Sequence, residues 1–216
     1  MTLPAGPFAC VVADPPWKFI SWSRHPALVM NARSPEKHYS VMTMPEILGL
    51  PVQDIVAPDC HLFLWATGPC LPHALRVMGA WGFVYSGMGF VWIKLRKRAC
   101  DADAERMVSL ADLPSLLHTG LGLTTRKNAE FVLLGRRGKP RRLAANVREV
   151  ILAPRREHSR KPDIAFEEIV RYAPGPRLEM FARESRAGFT AWGNEADLFD
   201  HESVDENPPG AASARA

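Results

Sequence analysis

Residues 8–17 read Phe8-Ala9-Cys10-Val11-Val12-Ala13-Asp14-Pro15-Pro16-Trp17. The first six are apolar without alternation, which predicts a strand buried on both faces, as in the middle of a parallel sheet. Such a strand aims the Asp14 carboxylate out of its C-terminal end. Pro15 and Pro16 stiffen the backbone and lack N–H groups, so their carbonyls can only accept hydrogen bonds. Trp17 then supplies a flat aromatic surface. Together these groups suit an exocyclic amino group on a planar base. That amino group would donate one hydrogen bond to the carboxylate and one to a backbone carbonyl while its ring stacks on Trp17. Two acceptors draw the nitrogen lone pair away from the ring and leave it usable as a nucleophile. A tight turn with a capping Asp is the plainer alternative. The position directly after a buried strand favours the pocket.

Working outward, apolar runs alternate with helical patterns. Thr43-Met44-Pro45-Glu46 reads as a capped helix start. His61–Ala66 predicts a second strand, Pro72–Trp81 a helix stopped by Gly82, and Met88–Lys94 a third strand. Ala129–Leu134 predicts a fourth strand ended by Gly135. Pro162 opens a helix at a first-turn position, with Ala165, Phe166, Ile169, Val170 and Ala173 on one face. Pro174-Gly175-Pro176 ends it, and Leu178–Ala182 reads as a further strand. This rhythm predicts an α/β sheet with helices on both faces, whose ligands bind beyond the C-terminal strand ends. Residues 95–125 break the rhythm and read as an insertion or long loop. Residues 1–199 are expected to form one domain, and 200–216, acidic then rich in Pro and Ala, a disordered tail.

Size and composition fit a single globular domain: 216 residues, 47% hydrophobic. The net charge of +4 hides a polarity, because residues 94–161 carry 17 basic and 7 acidic side chains, and the remainder is acidic. Such a band suits either a polyanion partner or a solvated Arg-rich face. The four cysteines, at 10, 60, 70 and 100, include no C-x-x-C pair, which excludes a zinc ribbon and a thioredoxin-like motif. The opening apolar run meets Asp14 at once, unlike a secretory leader, and no stretch approaches a membrane span. A soluble, cytoplasmic protein is expected.

The chain resembles the D-P-P-W amino-methyltransferases, a family that includes the catalytic subunit of the eukaryotic messenger-RNA adenosine methyltransferase and many bacterial and phage proteins. Besides Asp14–Trp17, the resemblance rests on Tyr39-Ser40-Val41-Met42, Leu62-Phe63-Leu64-Trp65, Trp92-Ile93-Lys94 and His158-Ser159-Arg160-Lys161-Pro162-Asp163. It continues through Leu178-Glu179-Met180-Phe181-Ala182-Arg183 and Trp192-Gly193-Asn194-Glu195, so it covers residues 8–198 in order. It implies a Rossmann-like, S-adenosylmethionine-dependent methyltransferase sheet in permuted order, with the catalytic strand first. That order would explain why no Gly-rich loop follows an early strand.

By the same resemblance, Asp14, Pro15, Pro16 and Trp17 are the expected catalytic group, with Asp14 also near the methionine end of the cofactor. Tyr39 and Glu130 are expected at the substrate pocket. Lys161 is expected to pair with the cofactor carboxylate, and Phe181, Arg183, Asn194 and Glu195 to complete the cofactor site. Only about seven residues, none acidic, precede the first strand, so the family's upstream acidic contact to the cofactor adenine must come from elsewhere or be absent. The Arg183–Asn194 span is shorter than in the eukaryotic form, so no ribose contact is carried over to Ser185 or Arg186. Trp65 and Trp92, inside apolar strands, are expected in the core.

The expected reaction is direct displacement at the sulfonium methyl by the 6-amino group of adenine, with no metal and no covalent intermediate. A bacterial or phage-type enzyme acting on DNA is favoured, with the base flipped out of the duplex. The 95–125 span and the Arg136, Arg137, Arg141 and Arg142 run are expected to contact backbone phosphates. Rival readings are the same chemistry on RNA, a non-catalytic nucleic-acid-binding subunit, or action on cytosine or a protein amide. A non-catalytic subunit would lose the D-P-P-W residues, which this chain keeps. Cytosine and amide enzymes more often carry Ser or Asn where Asp14 stands. Whether the protein is a monomer or a dimer stays open.

Overall fold

The computed structural model describes residues 2–17, 42–99, 103, 105–107, 109–120, 125–157 and 159–200. Tyr39, His158 and the predicted tail from residue 201 onward lie outside the described residues. Phe8–Ala13 forms β1, as its unbroken apolar run predicts. Met44–Leu48 (α1) begins with a complete capping box between Thr43 and Glu46. Val56–Ala66 (β2), Leu71–Ala80 (α2) and Val84–Leu95 (β3) follow, then the single helical turn Leu113–Leu116 (α3). Ala129–Arg137 (β4), Val150–Pro154 (β5), Asp163–Tyr172 (α4), Arg177–Met180 (β6) and Thr190–Trp192 (β7) complete the chain.

The seven strands form one sheet in the order β5-β3-β4-β2-β1-β6-β7. β1 pairs in parallel with both β2 and β6, and β6 with β7. β4 alone runs antiparallel, to β2 on one side and β3 on the other, while β3 and β5 are parallel. Six strands therefore point the same way, and β4 begins where they end. This is the expected Rossmann-like sheet with helices on both faces. The chain moves from β1 to one side of the sheet and returns on the other at β6. That reversal makes a crevice beyond the end of β1, where open α/β sheets bind ligands.

Alternation along β1 builds two cores. Val11 and Ala13 pack with Leu62, Leu64, Leu178 and Met180 under α1 and α2, where Ile47, Ala74, Val77 and Met78 are buried. Cys10 and Val12 pack with Phe63, Trp65, Phe90 and Trp92 under Ala165, Phe166 and Ile169 of α4. Burying a side chain of this size contributes about 1.5–3 kcal/mol, so the two layers hold the strand ends rigidly.

Several details differ from the sequence reading. β2 and β3 begin at Val56 and Val84, ahead of His61 and Met88, and β6 ends at Met180 rather than Ala182. β4 continues to Arg137 rather than ending at Gly135. A Cβ at Gly135 would stand 3.0 Å from Met78 Sδ, so this glycine admits α2 against the strand instead of turning the chain. Pro162 is the N-cap of α4 rather than its first residue. Val170 is 36% exposed, which leaves Ala165, Phe166, Ile169 and Ala173 as the buried stripe. β5 and β7 went unpredicted: β5 is an edge strand with Val150 and Leu152 exposed, and β7 has three residues. The 95–125 span, where described, contains a 3-10 turn at Leu110–Asp112 followed by α3.

Candidate active site

Asp14 leaves the end of β1 into a cavity of ≈ 770 Å³. That volume falls in the range typical of small-molecule sites. Asp14, Pro15, Pro16, Trp17, Glu130, Lys161, Phe181, Arg183, Asn194 and Glu195 all line it, so the fold gathers every predicted catalytic and cofactor residue. Residues more than a hundred positions apart meet because β1, β4, β6 and β7 all present one end to the same crevice.

Trp17 is buried, and its indole N–H donates to the Trp65 carbonyl at 3.2 Å, which fixes the plane of the ring. The proline carbonyls are partly used by the chain itself. Pro15 accepts from the Trp17 N–H at 2.7 Å and Pro16 from the Met42 N–H at 3.2 Å. Each carbonyl oxygen keeps a second lone pair for a further donor.

An ionic chain crosses the mouth of the crevice. Lys161 Nζ lies 2.6 Å from Asp14 Oδ2 and 3.3 Å from Glu130 Oε2. Lys94 Nζ closes on the other oxygen of Glu130. Burial alone would raise the Glu130 carboxyl, but the Lys161 and Lys94 ammoniums outweigh it and hold the carboxyl down at about 2. Burial alone would likewise lower the Lys161 ammonium, yet Asp14 and Glu130 raise it, so it stays charged. Lys161 also sits 5.2 Å from the centre of the Trp65 ring, and Lys94 4.8 Å from that of Trp92. Trp65 and Trp92 are thus core residues, as expected, whose faces support the two ammoniums.

The segment carrying Lys161 is clamped. Arg160 makes a forked pair to Glu184 at 3.1 and 2.8 Å and reaches Glu157 at 3.2 Å. Arg186 pairs with Asp163 at 2.6 Å and with Glu184, so its guanidinium serves the protein's own carboxylates. Ser159 and Phe181, both flanking the cavity, have φ of 64° and 62°. A non-glycine residue there costs energy, and such residues concentrate at functional sites. Phe181 turns the chain out of β6, and its ring packs edge-on against Trp192 at 5.5 Å. Gly193 is required beside it, because a Cβ would meet the Ala182 carbonyl oxygen at 2.6 Å. Arg183 Nε faces Glu195 Oε2 at 3.5 Å.

The donor set matches a charged nucleoside-like cofactor. Lys161 offers a cation for a carboxylate, while Arg183, Asn194 and Glu195 offer donors and acceptors for hydroxyls and a base edge. Among the described residues no cluster of metal-ligand type occurs, and no helix is long and apolar enough to cross a membrane.

Arg136, Arg137, Arg141 and Arg142 are not brought to this cavity. Arg136 pairs with His61 and Arg137 with Cys60, at the opposite end of the sheet from Glu130. Arg136 lies six residue steps along the strand from Glu130, roughly 20 Å. Arg137 is spent on the Gln53 carbonyl at 2.8 Å. The sequence showed the charge but not that β4 runs on past Gly135 and carries it away. Conversely, Lys97 and His118, within the 95–125 span expected at phosphates, line the cavity, as do Lys94 and Arg155, to which the sequence reading gave no role. Lys94 stood inside a quoted motif, and its place at the end of an apolar strand was the available signal.

The chain matches the MT-A70 family over residues 8–195. It is 28% identical to the Type II methyltransferase M.MunI of Mycoplasma sp, covering 95% of this chain and 87% of that protein. It is 27% identical to the human N(6)-adenosine-methyltransferase catalytic subunit METTL3, covering 89% of this chain and 29% of that protein. An Arabidopsis thaliana N(6)-adenosine-methyltransferase MT-A70-like protein is 28% identical over 88% of this chain and 24% of its own length. The chain thus spans most of the Mycoplasma relative and under a third of the eukaryotic ones.

Proposed function

Because this chain belongs to the MT-A70 family, we propose that it is an S-adenosylmethionine-dependent methyltransferase acting on the 6-amino group of adenine in DNA. One observation carries the reading. The Asp14 carboxylate stands at the end of the central strand, beside a fixed indole, with the Lys161 ammonium 2.6 Å away. When bound, S-adenosylmethionine supplies a methyl group on a positively charged sulfur.

The chain's own residues do the rest. Asp14 accepts a hydrogen bond from the amino group, and the second lone pair of the Pro15 carbonyl accepts another. Both acceptors orient the nitrogen lone pair out of the base plane. Trp17 sets that plane. Lys161 holds Asp14 in place from one side and offers its charge to the cofactor carboxylate on the other. Glu130, kept anionic by two lysines, prevents Lys161 from drifting onto Asp14 alone. Catalysis is then positioning and electrostatics in a rigid crevice. The near full-length match to a Type II methyltransferase supports DNA over RNA.

Incubation with methyl-labelled S-adenosylmethionine and duplex DNA, single-stranded DNA or RNA, followed by nucleoside analysis, tests this. N6-methyladenine in DNA is the expected product, lost in Asp14→Ala. Label in RNA alone would reassign the substrate, and persistent activity in Asp14→Ala would remove the mechanism.

A further inference from the structure

Resting on the reading of this crevice as a methyl-transfer site, we infer that its β3–β5 side holds a backbone phosphodiester of the target strand, gripped by Arg155 with Lys97 and His118. The ionic chain runs along the cavity from Asp14 after β1, through Lys161 and Glu130, to Lys94 on β3. Phe181, Arg183, Asn194 and Glu195 lie on the β6–β7 side. The opposite side is built from the ends of β3 and β5. Arg155 directly follows β5, and its N–H donates to the Leu95 carbonyl at 3.1 Å, which ties the two strand ends together. The returning limb of the 95–125 span is laid against β3. Leu117 bridges Leu95, Arg96 N–H donates to Leu116 at 2.9 Å, and His118 N–H donates to Lys94 at 2.8 Å. This limb makes His118 a wall of the cavity.

The charge on that wall is unbalanced. Among the described residues, no carboxylate pairs with Arg155. Lys97 has one carboxylate neighbour, Glu157, at 3.4 Å, and remains 59% exposed. His118 is pushed down from its ordinary value by burial and then by the charges of Arg155 and Lys94, which therefore crowd its ring. One monoanion with several acceptor oxygens relieves this crowding, and a guanidinium suits a phosphodiester geometrically. Position agrees. β3 lies three strand spacings from β1, about 14 Å, so a nucleotide with its base edge at Asp14 and lying across β4 would bring its sugar and phosphate toward β3 and β5. The Arg136–Arg142 run, at the other end of the sheet, is on the wrong side of the protein for this contact.

The test compares wild type, Arg155→Ala and the charge control Arg171→Ala on plasmid DNA over a salt series, with S-adenosylmethionine affinity measured by calorimetry. Arg155→Ala is expected to raise KM for DNA by about tenfold, the value of one charge-assisted contact. It should also reduce the slope of log KM against log salt by about 0.9. Cofactor affinity and the Arg171→Ala slope should match wild type. An unchanged slope in Arg155→Ala overturns the proposal, as does a loss carried by Arg142→Ala instead. If wild type methylates neither DNA nor RNA, the methyl-transfer reading fails separately. Filter binding of the same DNA then still decides the subsite, since equal salt slopes for wild type and Arg155→Ala, or no binding by wild type, reject it.

Discussion

Glu130→Gln removes one charge from the centre of the ionic chain and almost no volume. The folded protein holds this carboxyl at about 2 against an ordinary value of 4.5. At 1.36 kcal/mol per unit, the difference is worth about 3 kcal/mol of stability to the wild type at neutral pH. The sign follows from the depressed value. The contribution is complete above the ordinary carboxylate range and disappears as pH falls from there through about 2. Glu130→Gln lacks it at every pH. Its deficit should therefore be widest near neutrality and close progressively in acid. For a domain of this length the neutral deficit corresponds to about 6–12 °C in Tm. Urea melts of both proteins at several pH values between neutrality and the acid limit of folding measure it directly. Equal stability at neutral pH, or a deficit that does not change with pH, would refute the idea that Lys94 and Lys161 trap an anion there.

Three further outcomes follow from other parts of the molecule. Asp14→Asn keeps the shape of the site but removes the nearer partner of the Lys161 ammonium, and should lower the methyl-transfer rate per folded enzyme by about a hundredfold or more; near wild-type turnover contradicts this. Burial foremost, then Glu184 and Asp14, raises the Glu179 carboxyl to about 8 despite Arg186. Wild type therefore loses stability as pH rises from about 4.5 toward 8, and Glu179→Gln should gain Tm over wild type in mild alkali but not in mild acid. Gly135→Ala forces a methyl to within 3.0 Å of Met78 Sδ and 3.2 Å of Phe83 Cβ. It should cost about 1–3 kcal/mol in a denaturation series.

The catalytic end of the site was legible in the sequence because its signal is local. An apolar strand followed at once by Asp14-Pro15-Pro16-Trp17 states both the chemistry and its place at a strand end. Lys161, Arg183 and Asn194 were legible only through the family's motif order, since nothing in their own surroundings says that β6 and β7 lie beside β1. Which part of the basic band faces the cavity was not legible for a related reason. Composition located the basic band between residues 94 and 161, but both of its ends reach the cavity while its middle, around Arg136 and Arg137, lies at the opposite end of the sheet. Deciding between them needed the direction of β4, and Gly135 read as a strand terminator when it is a packing contact. β5 was missed because its burial alternates while its exposed positions, Val150 and Leu152, are apolar as well, so the sequence shows only a short apolar run with no polar–apolar alternation.

The single reversed strand has an architectural consequence. Elsewhere in this sheet, a connection that leaves the crevice end must cross the whole domain before the next strand begins. Between β3 and β4 it need not, because Leu95 departs and Ala129 arrives at the same rim. Both ends of the intervening segment are thus fixed at the crevice rim, and neither anchor depends on its length. Additions, deletions or exchanges within it can reshape what the crevice admits while the two cores stay as they are. Selectivity and stability are thereby carried by separate stretches of chain, and the former can diversify without drawing on the latter.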